Sequence, residues 1–204
     1  MGSRRNSYHH GDLRHALVEA GLTATRFRGP AGLGLREVTR RVGVSPNAAY
    51  RHFGDRQALL TAVAREIQDK MADTMRSRMP ASVSGKTAEK ARRLRGVGLG
   101  YIAFATAEPG WFETAFFGSA AERDSMPDQD RTPPPFTLLV DALDAMVESG
   151  ELSTERREGA EWACWSTVHG FAELVVHGPL RQLEAETVSR WAERVVDDII
   201  SGIT

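Results

Sequence analysis

The strongest constraint on how this chain folds is the segment of residues 35–56, which predicts two short helices joined by a tight turn. In the first helix, Leu35, Val38 and Val42 recur at helical spacing and define one inward face. Gly43 then supplies a residue that can adopt the left-handed conformation, which a Cβ atom would oppose. The segment therefore predicts a helix that ends at a fixed position, followed at once by a change of direction.

A second helix begins directly after this turn. Ser45 is a favourable N-cap, and Pro46 suits the first helical position, where its missing N–H costs nothing. Ala49 and Phe53 are four residues apart and share the inward face. The pattern predicts a helix-turn-helix whose second helix can enter the major groove of DNA.

The charge distribution separates this interpretation from that of an ordinary helical hairpin with one polar face. The first 60 residues carry ten Lys or Arg and four Asp or Glu, a net charge of +6. The whole chain of 204 residues has a net charge of −1, so the remainder carries −7. A cationic N-terminal part on an acidic body indicates that the N-terminal part contacts phosphates.

Longer stretches of the sequence resemble the tetracycline-repressor (TetR) family. The resemblance to the DNA-binding domain of that family covers residues 8–17, 35–38, 43–45, 50–53 and 58–60. Residues 165–171 and 177–180 resemble one subgroup of its ligand domains, which has a Trp-His-Gly signature. The resemblance implies a transcriptional regulator that binds a palindromic operator as a homodimer and responds to a small-molecule effector. Repression is the common output of the family, and activation uses the same parts.

The remaining sequence predicts an all-α fold, because it contains turn signals but no β-branched runs between them. We expect an N-terminal three-helix helix-turn-helix domain over residues 1–56 and a connecting helix over 57–80. A C-terminal helical domain for ligand binding and dimerisation is expected over residues 81–204. In the N-terminal part, one helix is predicted at about 11–27, and another runs from Asp55, its N-cap, to about 79. In the C-terminal part, one helix is predicted to end at about 107, and others are predicted at about 136–148, 154–177 and 184–202.

The resemblance implies that Tyr50 and His52 contact phosphates and that Arg56 adds a charge at the start of the fourth helix. Base edges are the expected targets of Asn47, Ala48 and Arg51, through adenine, a thymine methyl group and guanine respectively. The full predicted DNA-binding set is Arg36, Ser45, Asn47, Ala48, Tyr50, Arg51, His52 and Arg56.

Alternatives remain open at several of these positions. Tyr50 could pack on the first helix, and Arg51 could touch only phosphate. Gly34 stands where the family usually has a hydroxyl N-cap, which puts one backbone phosphate contact in doubt. The basic arm formed by Arg4, Arg5, His9 and His10 is compatible with a minor-groove contact or with a tail that has no fixed structure.

The two C-terminal helices carry apolar residues on more than one face, among them Trp162, Trp165, Trp191 and Val195. A single helix cannot bury several apolar faces against a small domain. We therefore predict a homodimer held by residues 154–178 and 184–203.

An aromatic surplus in the body predicts an apolar cavity for an apolar or aromatic effector. The predicted lining is Tyr101, Phe104, Trp111, Phe112, Phe116, Trp165, Thr167 and His169. His169 has two interpretations, a core histidine bonded to its surroundings or a residue that orients the ligand. An enzyme centred on His169 is disfavoured, because Ser166 and Glu173 lie along the same helix stripe and no nucleophile elbow or phosphate loop is present. An architectural DNA-binding dimer without a ligand is a further alternative.

No catalytic residue and no cofactor are predicted. A metal site at His9 and His10 is also not expected, since adjacent residues do not converge on one metal and no cluster of further ligands accompanies them. No apolar run reaches the roughly 18 residues of a membrane span, and the basic N-terminus lacks the apolar region of a signal peptide. The single Cys164 suits a reducing compartment, so we expect a cytoplasmic protein.

Overall fold

The computed structural model describes residues 10–80, 89–116 and 132–204, with side chains from residue 13 onward. Every regular element within these ranges is helical, which confirms the predicted all-α class. The helices are α1 (His10–Thr25), a 3-10 turn (Gly29–Gly32), α2 (Leu35–Val42), α3 (Pro46–Tyr50), α4 (Arg56–Arg78), α5 (Glu89–Ala107), α6 (Pro109–Ala115), α7 (Pro134–Glu148), α8 (Thr154–Arg157), α9 (Ala160–Val176) and α10 (Ala185–Ile203). The predicted basic arm (Arg4, Arg5, His9 and the His10 side chain) lies outside the described part.

The chain divides into two compact units. Unit 1 comprises residues 1–67 and 110–118, and unit 2 comprises residues 68–109 and 119–204. Helix α4 therefore contributes its first half to unit 1 and its second half to unit 2. The domain limits predicted from the sequence placed α4 between two domains and all residues after 80 in the second, whereas α6 packs within unit 1.

The core of unit 1 is built from the inward faces of α1 to α4. Leu17, Val38, Leu59 and Ile67 have no exposed surface. The predicted N-cap of α4 is confirmed, because Oδ1 of Asp55 accepts a hydrogen bond from the Ala58 N–H at 2.7 Å. This cap satisfies one of the backbone donors that every helix start leaves open.

Helix α6 joins unit 1 through the C-terminal end of α1. The indole N–H of Trp111 donates to the Leu22 carbonyl at 2.9 Å, and the Arg26 guanidinium lies 5.1 Å from the Trp111 ring centroid. A Cβ atom on Gly110 would lie 2.4 Å from the Arg26 carbonyl oxygen, so only glycine permits this approach. Trp111 is thus a structural residue of unit 1.

Unit 2 is organised around α5, which packs against α7, α9 and α10. Leu94, Val97 and Tyr101 of α5 are buried in this core. The side chain of Glu151 accepts from the Lys90 and Ala91 N–H groups and so caps the start of α5. Across the helices, the Arg95 Nε donates to Asp197 Oδ1 at 2.6 Å.

The predicted continuous helix over 154–177 is wrong at one point. Gly159 adopts a left-handed conformation with φ of 75° and separates α8 from α9. This conformation is open to glycine and ends the helical hydrogen-bonding pattern, so the chain turns there. Among the described helices, none has the length and apolar character needed to cross a membrane.

Candidate functional site

The turn between α2 and α3 has the geometry that its sequence predicts. Gly43 has φ of 76°, and its N–H donates to the Arg40 and Thr39 carbonyls, which closes α2. Ser45 then caps α3 by accepting from the Ala48 N–H at 3.3 Å. Because Ser45 is occupied in this cap, its observed role is to fix the direction of α3.

Helix α3 buries one face and presents the other. Ala49 is fully buried and Phe53, just beyond the helix end, is 3% exposed, which holds the helix on the core. Asn47, Tyr50 and Arg51 are exposed, while Ala48 and His52 are half-buried. Tyr50 leaves 51% of its surface accessible. The outward face of α3 thus carries polar groups of the types that read bases and bind phosphates.

The basic residues of α2 are organised by one carboxylate. Glu37 accepts from Arg40 at 2.7 Å and from Arg41 at 3.2 Å, and these hydrogen bonds hold the pKa of Glu37 below its usual value. Arg36 is exposed on the same helix. Arg36 and Arg51 are both exposed and make no ion pair within the described residues.

Arg56 has a role in the structure that the sequence did not indicate. Its Nε donates to the Leu33 carbonyl at 2.7 Å and its Nη2 donates to the Pro30 carbonyl at 2.5 Å. The guanidinium therefore fastens the loop before α2 to the start of α4. A loop carbonyl gives no periodic signal in a sequence, so this pairing could not be predicted.

In unit 2, the structure brings together Tyr101, Trp165 and His169 of the predicted effector residues. The Tyr101 hydroxyl lies 2.7 Å from His169 Nδ1. The Trp165 ring is stacked on His169 at 6.1 Å between centroids and meets Tyr101 edge-on at 5.1 Å. These three side chains form one cluster where α5 and α9 meet.

Burial sets the protonation state of this cluster. Desolvation raises the pKa of Tyr101 far above its usual value, so its phenol is neutral and we assign its O–H as the donor to His169 Nδ1. Desolvation also lowers the pKa of His169, against the opposing influence of the Glu173 carboxylate. A neutral imidazole that accepts at Nδ1 carries its proton on Nε2, which makes His169 a hydrogen-bond donor there.

A small apolar cavity adjoins the cluster. Its volume is about 20 Å³, and its walls include Tyr101, Leu139, Cys164 and Trp165. Burial raises the pKa of the Cys164 thiol to about 11, so the sulfur is a neutral, apolar wall. Leu139 was not predicted as a lining residue, because the sequence of α7 shows helical periodicity but no residue type that marks a ligand site.

Aromatic side chains continue from this cluster to the surface. Phe136 lies 5.5 Å from Trp165 and 5.2 Å from Trp162, measured between ring centroids. Trp162 is 62% exposed, whereas Tyr101 is 1% exposed. Phe136 was also missed by sequence reasoning, although it lies in the first turn of α7, directly after three prolines.

Five of the predicted effector residues are not part of this cluster. Trp111, Phe112 and Phe116 belong to unit 1, where Phe112 and Phe116 meet edge-on at 5.8 Å. Phe104 is buried in unit 2 but does not line the small cavity. Thr167 donates its hydroxyl to the Ala163 carbonyl at 2.8 Å, as helical threonines often do.

Comparison with known families identifies both the N-terminal and the C-terminal part of the chain. Residues 17–63 match the family described as bacterial regulatory proteins, tetR family, and residues 94–199 match the tetracyclin repressor-like C-terminal domain. The second match alone covers more than half of the chain. The chain belongs to the TetR family of bacterial regulatory proteins, and the class predicted from the sequence, a helix-turn-helix regulator of this type, is confirmed.

Curated relatives agree with this assignment. The HTH-type transcriptional regulator Rv1816 of Mycobacterium tuberculosis is 27% identical over 162 residues, which are 74% of this chain and 64% of that protein. The HTH-type transcriptional regulator BetI of Rhizobium meliloti is 34% identical over 71 residues, 35% of each chain. The chain thus spans between about a third and two thirds of the length of these relatives.

Solved structures show the same fold at low identity. A protein from Rhodococcus sp. RHA1 has a TM-score of 0.72 at 23% identity, with 97% of this chain and 98% of that chain covered. A TetR variant from Acinetobacter baumannii, solved in complex with minocycline, has a TM-score of 0.63 at 17% identity and covers 91% of this chain and 93% of its own.

Proposed function

We propose that this protein is a transcriptional regulator that binds a palindromic operator as a homodimer and leaves it when a small effector binds unit 2. The observation that carries the proposal is α3, which buries Ala49 and Phe53 and exposes Asn47, Tyr50 and Arg51. We favour repression over activation as the regulatory output, since the release of a bound dimer from DNA needs no contact with other proteins. Such a protein acts where the chromosome is, so a cytoplasmic location belongs to the same proposal.

The roles on DNA divide between two kinds of contact. Arg51 and Asn47 reach base edges, with Ala48 against a thymine methyl group, because these side chains lie on the outward face of α3. Tyr50, His52 and the exposed Arg36 contact phosphates and fix the position of the helix. Ser45 and Arg56 act through the fold, the first as the cap of α3 and the second as the fastening of the preceding loop.

The dimer interface is proposed over residues 154–178 and 184–203. Trp162, Ser166, Gly170 and Leu174 are exposed and follow one another at intervals of four residues along α9. On α10, Trp191 is 41% exposed. Two tryptophans and a leucine on neighbouring surfaces form an apolar area of the kind that a second copy covers, and an obligate interface buries about 2,000 Å² or more in total.

The effector is proposed to be an apolar or aromatic molecule that binds at Tyr101, Trp165 and His169. Three rings offer stacking surfaces to an aromatic or apolar ligand. An apolar site cannot offset the desolvation of several charges, so nucleotides and phosphorylated metabolites are excluded. Because the cavity of about 20 Å³ is smaller than ligand sites of roughly 300–1,000 Å³, the ligand must displace side chains.

The small size of that cavity also favours a second candidate function, a DNA-binding dimer that responds to no ligand. The two functions differ in a direct measurement. Effector-dependent release predicts that a ligand of unit 2 weakens DNA binding by the same factor by which DNA weakens ligand binding. A purely architectural dimer shows no such coupling.

Substitution of Arg51 and Arg56 tests the DNA-binding proposal. In Arg51→Ala, operator binding should weaken by about 1–3 kcal/mol, with relaxed discrimination at one position in each half-site and little change on scrambled DNA. In Arg56→Ala, two backbone carbonyls lose their donor, so the thermal transition of unit 1 should fall while base discrimination remains.

Both variants and the wild type are titrated onto operator and scrambled duplexes at several salt concentrations, with thermal unfolding in parallel. Arg36→Ala is the matched control, because it removes an exposed arginine from α2 and should flatten the salt dependence equally on both duplexes. Equal losses on operator and scrambled DNA for Arg51→Ala would contradict its role in base recognition.

A further inference from the structure

Unit 2 contains a second, larger cavity on a different face of α5. Its volume is about 420 Å³, within the range of roughly 300–1,000 Å³ typical of small-molecule sites. Leu99, Ile102 and Ala103 of α5 form one wall, and Val188 and Ala192 of α10 form another. The small cavity beside Tyr101 uses other residues of α5, so the two cavities share no lining residue from that helix.

The walls of this cavity, which we call the α5–α10 groove, are mainly apolar, but charged side chains also line it. Arg78, at the end of α4, makes no ion pair or side-chain hydrogen bond among the residues that the structure describes. Glu193, from α10, lies 3.4 Å from the Arg95 guanidinium, which also pairs with Asp197 at 2.6 Å. One guanidinium therefore faces two carboxylates, and Arg78 is the lining cation of the groove that has no carboxylate partner among the described residues.

We propose that the α5–α10 groove is a binding site for an amphipathic monoanion, a molecule with one carboxylate and an apolar body. The carboxylate pairs with Arg78, since a guanidinium matches a carboxylate with two parallel hydrogen bonds. The apolar body lies along Leu99, Ile102 and Val188 and is removed from water there. This site is independent of the proposed DNA interface and of the cluster at His169.

A single charge and an apolar body are both needed. A neutral molecule of the same length gains the apolar contacts but leaves Arg78 unpaired. A polyanion brings charges that Arg78 alone cannot pair, and it meets the carboxylate of Glu193. The groove thus discriminates by head group at one end and by apolar length along its walls.

Calorimetric titration of the full chain with decanoate, with decanol and with acetate tests this site. The wild type should bind decanoate saturably with one site per chain. Decanol, which lacks the charge, should bind about two- to fivefold more weakly, because an exposed ion pair contributes modestly. Acetate, which lacks the apolar body, should show no saturable binding.

Three variants assign the binding to the groove. Arg78→Gln should reduce decanoate affinity about two- to fivefold, to the level of decanol, and leave decanol unchanged. Ala103→Phe places a ring in the groove from a half-buried position and should abolish binding of both probes. Arg76→Gln is the matched control, since Arg76 is exposed near the end of the same helix and pairs with Asp73 outside the groove.

Full decanoate affinity in Arg78→Gln, unchanged binding in Ala103→Phe, or no saturable decanoate binding to a folded wild type would each overturn the proposal. Thermal unfolding of each variant without probe shows whether it is folded. Because calorimetry needs no DNA, a failure here leaves the DNA-binding proposal standing, and a failure to bind any operator leaves this site standing.

Discussion

Replacing Gly170 by Glu is expected to convert the protein from a dimer into a monomer and to lower operator affinity by about 10²–10⁴-fold, the gain that two linked half-sites normally provide. Gly170 lies on the exposed stripe of α9, and no atom lies within 4 Å of the position its Cβ would take. The variant therefore has no clash within its own chain, and Glu is a better helix former than Gly by roughly 0.5–1 kcal/mol.

Only a partner surface at this position can make the substitution harmful. In the proposed dimer, the new carboxylate is buried without a partner, which costs several kcal/mol and separates the subunits. Sedimentation equilibrium at micromolar concentration and DNA titration measure the two effects. Ala107→Glu adds the same charge to an exposed position of α5 and should leave both unchanged. A dimeric Gly170→Glu protein with full operator affinity would place the interface elsewhere.

A second large effect is expected at Gly100, where α5 crosses the end of α4 at very short distance. A Cβ atom at this position would lie 2.5 Å from the Met75 Cα and 3.1 Å from the Met75 nitrogen. Backbone atoms cannot move aside as the end of a flexible side chain can, so Gly100→Ala forces the helices apart. We expect the free energy of unfolding of unit 2 to fall by about 1–3 kcal/mol, the usual range for an overpacked core.

Thermal unfolding followed by circular dichroism checks this expectation. The midpoint temperature should fall by about 2–4 °C for each kcal/mol of stability lost in a protein of this size. Gly202→Ala is the matched control, because Gly202 is also helical and no atom lies within 4 Å of its Cβ position. The control should equal or slightly exceed the wild type, as alanine favours helices over glycine. A Gly100→Ala protein as stable as this control would show that the helices can separate without cost.

Local sequence signals predicted the helix-turn-helix part of this molecule well. Gly43, Ser45 and Asp55 act on neighbours within a few residues, and each has the predicted conformation or cap. Apolar periodicity predicted that Ala49 and Phe53 face inward, and both are buried, because a helix places residues at this spacing on one face whatever it packs against.

Pairings between distant residues were not predictable in the same way. The Arg56 guanidinium bonds two loop carbonyls, and the Trp111 indole bonds the end of α1. Neither partner is marked by residue type, since every residue has a carbonyl. For this reason the aromatic residues of α6 were predicted as part of an effector site, although α6 packs within unit 1.

Within unit 2, the sequence indicated that Tyr101, Trp165 and His169 lie close together, but it did not indicate the volume of the cavity beside them. Cavity volume depends on small differences in side-chain packing across α5, α7, α9 and α10, and helical periodicity carries no information about it. The contrast between about 20 Å³ beside Tyr101 and about 420 Å³ in the α5–α10 groove therefore comes from the structure alone.

The central claim, a dimer that reads DNA through two copies of α3, is tested most directly by selecting binding sites from random duplexes with the purified protein. The expected result is a palindrome whose half-site centres lie about one helical turn or a small multiple apart, roughly 34–36 Å per turn, with two chains bound per duplex at the shortest spacing. Arg51→Ala should recover the same palindrome with one relaxed position in each half. Enrichment of an asymmetric sequence by a single chain, or no enrichment by a folded protein, would contradict the account.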